Sequence, residues 1–589
     1  MRQVKRWLNR ALCGAGFALG ALYLAACAQG GPPPQAPLAE MAPARPTATA
    51  EPSATPRPAP SATAYRSPEH LIGIRLVDGQ AEFYDRRSDK KFIPRGANYV
   101  FVPAAGGVTN QLLKVGIYDP ARTRTDFARL AAVGYNTVRV FIDHCGAGEG
   151  CIGAADGDGL NPAYLDNLAD LISAAKEARL FLLLTSNDLP DQGGYAQEAN
   201  SAAGVDFAGY RNSYYLTPAG VNATRRYWRD LLGGLLERRA ALDAVLGWEL
   251  VNEQWMFNDQ PPLSLSEGTV TTTTGSYAMS DPAEKARMVS DGLVYYIAQV
   301  KADILALDPT GLVTMGFFAP GVAPGWYVDT TPLLDQADLD FFDFHAYPGG
   351  QPLDELASAF GIGGYERKPV ILGEYGAFRH IYGQMRPAAR ALSAWAADAC
   401  SLGFDGWLYW AYNAADATAG DRTWALTDED GYLLDLFSPN NQPDVCRAVR
   451  VASDNLAFGK PVTVSRDLPA EMAAFAVDEN DGSQWGSGAL PPQWIEVDLQ
   501  GVFRVSEIRL MVAQWPAGET LHRVLVRQHG SQDFIQVHEF KQNTKDGDWL
   551  VFRPETPIEN VEAIRIRTIS SPSWVAWKEI QVRGEAETP

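Results

Sequence analysis

From about residue 70 to residue 453, short apolar strand-like runs alternate with longer helix-like segments. This alternation restricts the fold more than any other feature of the chain. Eight strand candidates can be read, at 91–99, 137–142, 181–185, 246–250, 312–317, 341–345, 370–373 and 406–410. Helical stretches lie between them, among them 162–178, with Ala, Leu and Asp at helical spacing, and 223–240. Eight such units predict an α/β chain closed into a (β/α)8 barrel over 66–453, with the active site at the C-terminal ends of the strands. The longest insertion follows the fourth strand, where the Thr-rich stretch 264–279 predicts a hairpin in a loop.

Two of those strand ends each carry a glutamate. One stretch reads Leu246-Gly-Trp-Glu-Leu-Val-Asn252-Glu253, the other Pro369-Val-Ile-Leu-Gly-Glu374-Tyr375-Gly376. A carboxylate where a buried strand meets a loop is costly unless it is paired. Two of them on different strands are what glycosidic bond cleavage with retention requires, one as acid/base and one as nucleophile. Their environments must then differ, so that one is protonated while the other is ionised. Asn252 can hydrogen-bond a sugar hydroxyl beside the reacting carbon. Arg139 and Tyr347, at the ends of the second and sixth strands, are candidates to hold Glu374 ionised.

The N-terminus reads as an export signal. Arg2, Lys5, Arg6 and Arg10 precede an apolar stretch at 11–26 that is too short for a comfortable membrane span. It ends in Leu24-Ala25-Ala26-Cys27, which resembles the bacterial lipobox. The resemblance implies a lipoprotein signal peptide over 1–26 and a lipid on Cys27. Residues 27–65 are dominated by Pro, Ala, Thr and Ser and are expected to form a disordered tether. A lipid-anchored location on the extracellular face of a bacterial envelope is therefore expected, with the membrane as a partner through the lipid.

Cysteine usage agrees with export. Cys145, Cys151, Cys400 and Cys446 remain once Cys13 and Cys27 are set aside, and an even count in an exported chain suggests disulfides. The short spacing favours Cys145 with Cys151, which leaves Cys400 for Cys446. A zinc site is the weaker rival, because no CxxC or HxxxH spacing accompanies these cysteines. The net charge of −20 argues against nucleic acid as a ligand and suits a neutral polysaccharide. A monomer is expected.

The barrel segment resembles the clan-A glycoside hydrolases, and among these TIM barrels the family-5 enzymes (cellulases, mannanases and relatives). The matching residues are Arg95-Gly-Ala-Asn98-Tyr99, Gly134-Tyr-Asn136-Thr-Val-Arg139-Val, Trp248-Glu-Leu-Val-Asn252-Glu253, Asp343-Phe-His345-Ala-Tyr347-Pro348, Gly373-Glu374-Tyr-Gly and Trp407-Leu-Tyr-Trp410. The resemblance implies Glu253 as acid/base, Glu374 as nucleophile and Asn252 as a sugar contact. It further implies that Arg139 and Tyr347 orient Glu374, that His345 lines the subsite and that Trp410 forms its floor. No cofactor is implied for catalysis. The stretch Leu184-Thr185-Ser186-Asn187-Asp188 lacks the histidine many family members place there. It looks more like the endo-β-mannanase branch, which makes Asn187 a further substrate-binding candidate. Gln254 replaces the usual proline, and Trp255 beyond it is a candidate sugar platform.

From about Asn455 the texture changes to short alternating runs split by Gly, Pro and Asn, which predicts an all-β sandwich over 454–589. Asn455-Leu-Ala-Phe-Gly-Lys-Pro-Val-Thr-Val-Ser465, Ala476-Val-Asp478, Trp485, Gln493-Trp494-Ile-Glu-Val-Asp498-Leu and Lys578-Glu579-Ile resemble a discoidin-type jelly roll. Bacterial relatives of this kind on glycosidases are often family-32 carbohydrate-binding modules. By that resemblance Trp485 and Trp494 are core positions, whereas Trp515 and Trp574 fall in turn-rich stretches suited to stacking on sugar. Asp478 and Glu579 match a structural calcium site, although Glu479 stands where glycine is usual. The expected function is retaining hydrolysis of an extracellular β-linked polysaccharide, with β-1,4-mannan first and β-1,4-glucan next. The rivals are an exo-acting β-glycosidase and a catalytically silent surface protein that only binds carbohydrate.

Overall fold

The computed structural model describes residues 65–587 except 156, 202–206, 255, 322–324, 363, 364, 366, 416–421, 450, 452 and 470. The expected leader, Cys27, the tether up to residue 64 and Trp255 lie outside the described residues.

Nine short strands build one parallel sheet. They are β1 (Arg95–Asn98), β2 (Thr137–Phe141), β3 (Phe181–Thr185), β4 (Val245–Glu249), β5 (Val313–Thr314), β6 (Gly316–Phe318), β7 (Phe342–His345), β8 (Val370–Tyr375) and β9 (Gly406–Tyr409). The order is β5-β4-β3-β2-β1-β9-β8-β7-β6, and only Met315 separates the two ends of this path. The sheet is therefore a nearly closed barrel, and the single strand expected at 312–317 is realised as two pieces that pair with different neighbours. The break has a tertiary cause. Gly316 keeps its register with Asp343 but also donates its N–H to Val251 O at 2.9 Å and accepts from Gln254 N at 2.9 Å. A Cβ on Gly316 would lie 1.8 Å from Asn252 O, so only glycine permits this approach. The interruption thus ties down the segment that carries Asn252 and Glu253.

The connecting helices start on repeated caps. Asp119, Asn161, Thr217 and Asp281 each accept main-chain N–H groups with a side-chain oxygen, and each is followed by proline in the first turn. The helix expected at 162–178 is Pro162–Ala178, whereas that expected at 223–240 is Pro218–Glu237, because the Thr217 cap starts it earlier. The Thr-rich insertion forms the hairpin Thr269–Thr271 with Ser276–Ala278. No helix among the described residues is long and apolar enough to cross a membrane.

The lower end of the barrel is stoppered by the hairpin Ile72–Val77 with Gln80–Asp85, whose Ile72 and Phe83 pack among Leu183, Leu246, Leu312, Phe341, Ile371 and Leu408. Lys90–Lys91 pairs with this hairpin, so the first barrel strand begins at Arg95 rather than at 91.

The C-terminal region is a separate antiparallel β structure. Its longest strand, Gln493–Val512, changes partners along its length: Gln493 to Asp498 pair with Ile558–Ser570, and Glu507 to Val512 with Ala576–Ala586. Trp485, Ile495, Val497, Leu510, Ile566 and Trp577 form its core. Trp494 does not join them. Side chains alternate along a strand, so burying Ile495 and Val497 turns Trp494 to the outer face, where the Arg565 guanidinium lies 4.8 Å from its ring. Cys145 pairs with Cys151 and Cys400 with Cys446.

Candidate active site

The upper ends of the parallel strands converge on one buried charge cluster. At its centre is Arg139 on β2, fully buried. Its Nε and Nη2 donate to the two carboxylate oxygens of Glu249 at 2.9 and 2.7 Å. Nη2 also donates to Asn252 Oδ1 at 2.7 Å, and Nη1 to Asn98 Oδ1 at 2.9 Å and Glu374 Oε1 at 2.6 Å. A planar fork with five N–H donors is the side chain best suited to several acceptors at once.

Glu374 is clamped from both sides, since Tyr347 donates its hydroxyl to Oε2 at 2.6 Å. Glu253 lies beside it. His345 Nδ1 is 3.0 Å from Glu253 Oε1 and 3.7 Å from Glu374 Oε1. Carboxylate oxygens of Glu253 and Glu374 and a ring nitrogen of His345 all fall within 4.8 Å of one another.

Below this layer sits Asp343, fully buried, with Oδ2 3.5 Å from Arg139 Nε and Oδ1 3.7 Å from His345 Nε2. Gly373 makes room for it, because a Cβ there would come within 1.7 Å of the carboxylate.

Burial of so much charge sets the titration behaviour. Desolvation works against the Arg139 cation, but Glu249, Glu374 and Asp343 outweigh it and hold the proton firmly. Desolvation likewise opposes the His345 imidazolium, yet Glu374, Asp343 and Glu253 push its pKa up to about 10. Burial raises the carboxyl of Glu374, with Glu253 adding to the effect, while His345, Arg139 and Tyr347 pull it down. Burial also raises Glu249, against the pull of Arg139.

Two carboxylate–histidine groups have the spacing of a metal site, Glu249 with Asp343 and His345, and Glu253 with His345 and Glu374. Both contain His345, whose Nδ1 already meets Glu253 Oε1 at 3.0 Å.

Trp410 packs edge-on against Phe101 and Phe141 at centroid distances of 5.9 and 6.1 Å. Asn187, at the end of β3, is half-buried. Its main-chain N–H is tied to Asp143 at 2.5 Å, and among the described hydrogen bonds none links it to Glu253 or Glu374.

Arg139, Asn252, Glu253, His345, Tyr347 and Glu374 are thus brought together in one network. His345 does more than line the cleft, because it bridges the two glutamates. The sequence reading missed Glu249, Asp343 and Asn98. The signal was present: Glu249 and Asp343 are lone acids inside otherwise apolar barrel strands, where an unpaired charge is untenable.

In the C-terminal region Trp515 is 86 % exposed and Trp574 50 % exposed, whereas Trp485 is fully buried. The carboxylates expected to hold calcium are hydrogen-bonded within the protein. Glu579 accepts from Asn455 Nδ2 at 3.2 Å and from Glu479 N at 2.9 Å. Asp478 accepts from Asn480 N at 3.0 Å and from the Ser483 hydroxyl at 2.7 Å. Beside them the Arg390 guanidinium pairs with Glu479, and a fixed cation at that place leaves the donor set unfit for calcium.

No protein-family model matches the chain, and no curated protein does. Among solved structures it is similar to an exo-β-1,4-mannosidase from Opitutaceae bacterium strain TAV5, at 19 % identity and a TM-score of 0.43, over 64 % of this chain and 63 % of that enzyme. The match therefore spans less than two thirds of that enzyme. A part of the chain is similar to the family 32 CBM from C. perfringens NanJ in complex with galactose, at 18 % identity and a TM-score of 0.19, over 21 % of this chain and 93 % of that one. It is also similar to a Streptococcus pneumoniae fucose binding module, at 21 % identity and a TM-score of 0.19, over 22 % and 95 % of the two chains.

Proposed function

We propose that the chain is a retaining glycoside hydrolase acting on a β-linked polysaccharide, with Glu374 as nucleophile and Glu253 as acid/base. The observation that carries this reading is the pairing of the two glutamates within 4.8 Å at the strand ends, with only one of them clamped by Arg139 and Tyr347. Retaining enzymes place their carboxyls about 5–5.5 Å apart, whereas inverting ones leave about 6.5–9.5 Å for a water.

The assignment of roles follows from hydrogen bonding. Both oxygens of Glu374 accept from strong donors, and donors favour the ionised form that attacks the anomeric carbon. Burial opposes this, so the reading rests on those two contacts. Among the described hydrogen bonds Glu253 is met by His345, and it is the carboxyl left to protonate the leaving oxygen. As the glycosyl–enzyme bond forms at Glu374, Glu253 gives up its proton. It then takes one from the water that hydrolyses the intermediate. Asn252 accepts from Arg139 through its oxygen, which leaves its NH2 for a sugar hydroxyl, and Trp410 supplies an apolar face for the ring.

β-1,4-Mannan is the first substrate choice and β-1,4-glucan the second. In the exo reading the long loop after the fourth strand would close one end of the cleft, and product analysis separates endo from exo cutting. The hairpin within that loop contacts Leu216 and Asp291 on the helix Pro282–Leu307. The exposed Trp515 and Trp574 suit polysaccharide retention, and a lipid on Cys27 would hold the enzyme at the envelope surface. Reducing-sugar release from mannan, glucomannan, cellulose, xylan and mixed-linkage glucan, with Glu374→Ala as control, tests the proposal. Release from at least one substrate that disappears in the variant is expected. No release from any of them would favour a silent binding protein.

A further inference from the structure

The carboxylates that fail the calcium test are met by an arginine from the barrel. Arg390 lies on the helix Met385–Ser401 that follows β8. Its guanidinium forms a close ion pair with Glu479 and lies 4.2 Å from the ring of Phe458, both in the C-terminal region. Glu579 is among the charges that act on it. The surroundings point the same way. Arg386, one turn earlier on that helix, is 3.8 Å from Asp454. Asp481 reaches the Gly383 backbone just before the helix, so closely that a Cβ on Gly383 would come within 2.4 Å of its carboxylate.

Glu479 is held in an unfavourable backbone state. It is 4 % exposed and adopts φ 57°, the left-handed region where glycine is at ease and a longer side chain is strained. Its carboxylate accepts from Ser453 at 2.5 Å through one oxygen and faces Arg390 through the other, while its N–H donates to Glu579. A strained residue whose carboxylate and N–H are all engaged at the junction is there for what its side chain does.

We infer that Arg390 acts as the cation of the C-terminal region, entering its acidic pocket from the barrel and docking the two parts into one unit that needs no calcium. Asp454, Glu479 and Glu579 are then met by cations across the junction, while Lys578 and Arg509 act on Asp481 from within the β structure. The direction in which Trp515 and Trp574 are presented is therefore fixed relative to the barrel. This holds whatever reaction the barrel performs.

Differential scanning calorimetry of the full chain, in EDTA and in millimolar calcium chloride, tests the inference. The wild type should unfold in one transition whose midpoint moves by less than roughly 1 °C between the two conditions. Arg390→Ala should split it into two. Glu479→Gly should split it as well, even though glycine relieves the strained backbone, so the test survives if Arg390→Ala does not fold. A wild-type midpoint raised by several degrees in calcium would overturn the inference, and so would a single unshifted transition in Glu479→Gly.

Discussion

Arg139 and Glu374 are joined by a 2.6 Å hydrogen bond where water hardly reaches, with side-chain exposures of 0 % and 2 %. The same guanidinium holds Glu249 with two further bonds, so one cation faces both Glu374 and Glu249. Removing one partner from such a buried network leaves the others uncompensated. Arg139→Ala should therefore cost about 3–5 kcal/mol of stability, read from urea unfolding. In whatever fraction folds, Glu374 loses a cation that favoured its ionised form. The acid limb of the pH–rate profile should then move to higher pH.

Glu253 should reveal itself through the leaving group. Glu253→Ala is expected to slow polysaccharide cleavage by about 10²–10⁴-fold, the usual worth of general acid catalysis. The loss should be much smaller on an aryl glycoside whose phenolate leaves without protonation. Equal losses on both substrates, measured as kcat/KM, would remove Glu253 from the acid role.

His345 makes a pH-dependent contribution to stability. Its pKa rises from an ordinary value near 6.5 to about 10 in the folded chain, because carboxylates surround its ring. A group bound more tightly to its proton in the folded state stabilises that state fully below its unfolded pKa and ceases to do so above its folded one. The wild type should thus exceed His345→Asn in stability at pH 6, and the gap should narrow as pH rises through 10. Denaturation midpoints for both proteins across that range check this.

Much of this site was legible in the chain because chemistry forced unusual residues into apolar runs. Glu374 and Arg139 stand out inside barrel strands and Glu253 just beyond one, and the Asn161 cap with Pro162 marks its helix start. Three things were harder to see. The split at Met315 depends on a tertiary approach of Gly316 to Asn252, which no local pattern encodes. The stopper hairpin at Ile72–Val77 looks like any exposed alternating pair until the barrel floor is there to bury Ile72 and Phe83. Glu479 reads as an exception to a calcium motif, and it gains a reason only when Arg390 arrives from a distant helix.

Gly373 offers a steric test of the layer below the glutamates. The Cβ of Gly373→Ala would fall 1.7 Å from the Asp343 carboxylate, between two strands that cannot easily move. Overpacking of this kind costs about 1–3 kcal/mol. Displacing Asp343 should also disturb His345, so activity should fall by more than the loss of folded protein explains. Circular dichroism melting alongside active-site titration separates the two effects.

The central claim is that Glu374 attacks the sugar directly while Glu253 protonates the leaving group. Proton NMR of the anomeric signals, recorded as the enzyme first cleaves its best β-linked polysaccharide, tests this most directly. The account predicts that the β-anomer appears first and mutarotates to the α-form only later, and that Glu374→Ala yields neither. An α-anomer formed first would contradict it, because the two carboxylates would then be flanking a water instead of forming and breaking a bond to the sugar.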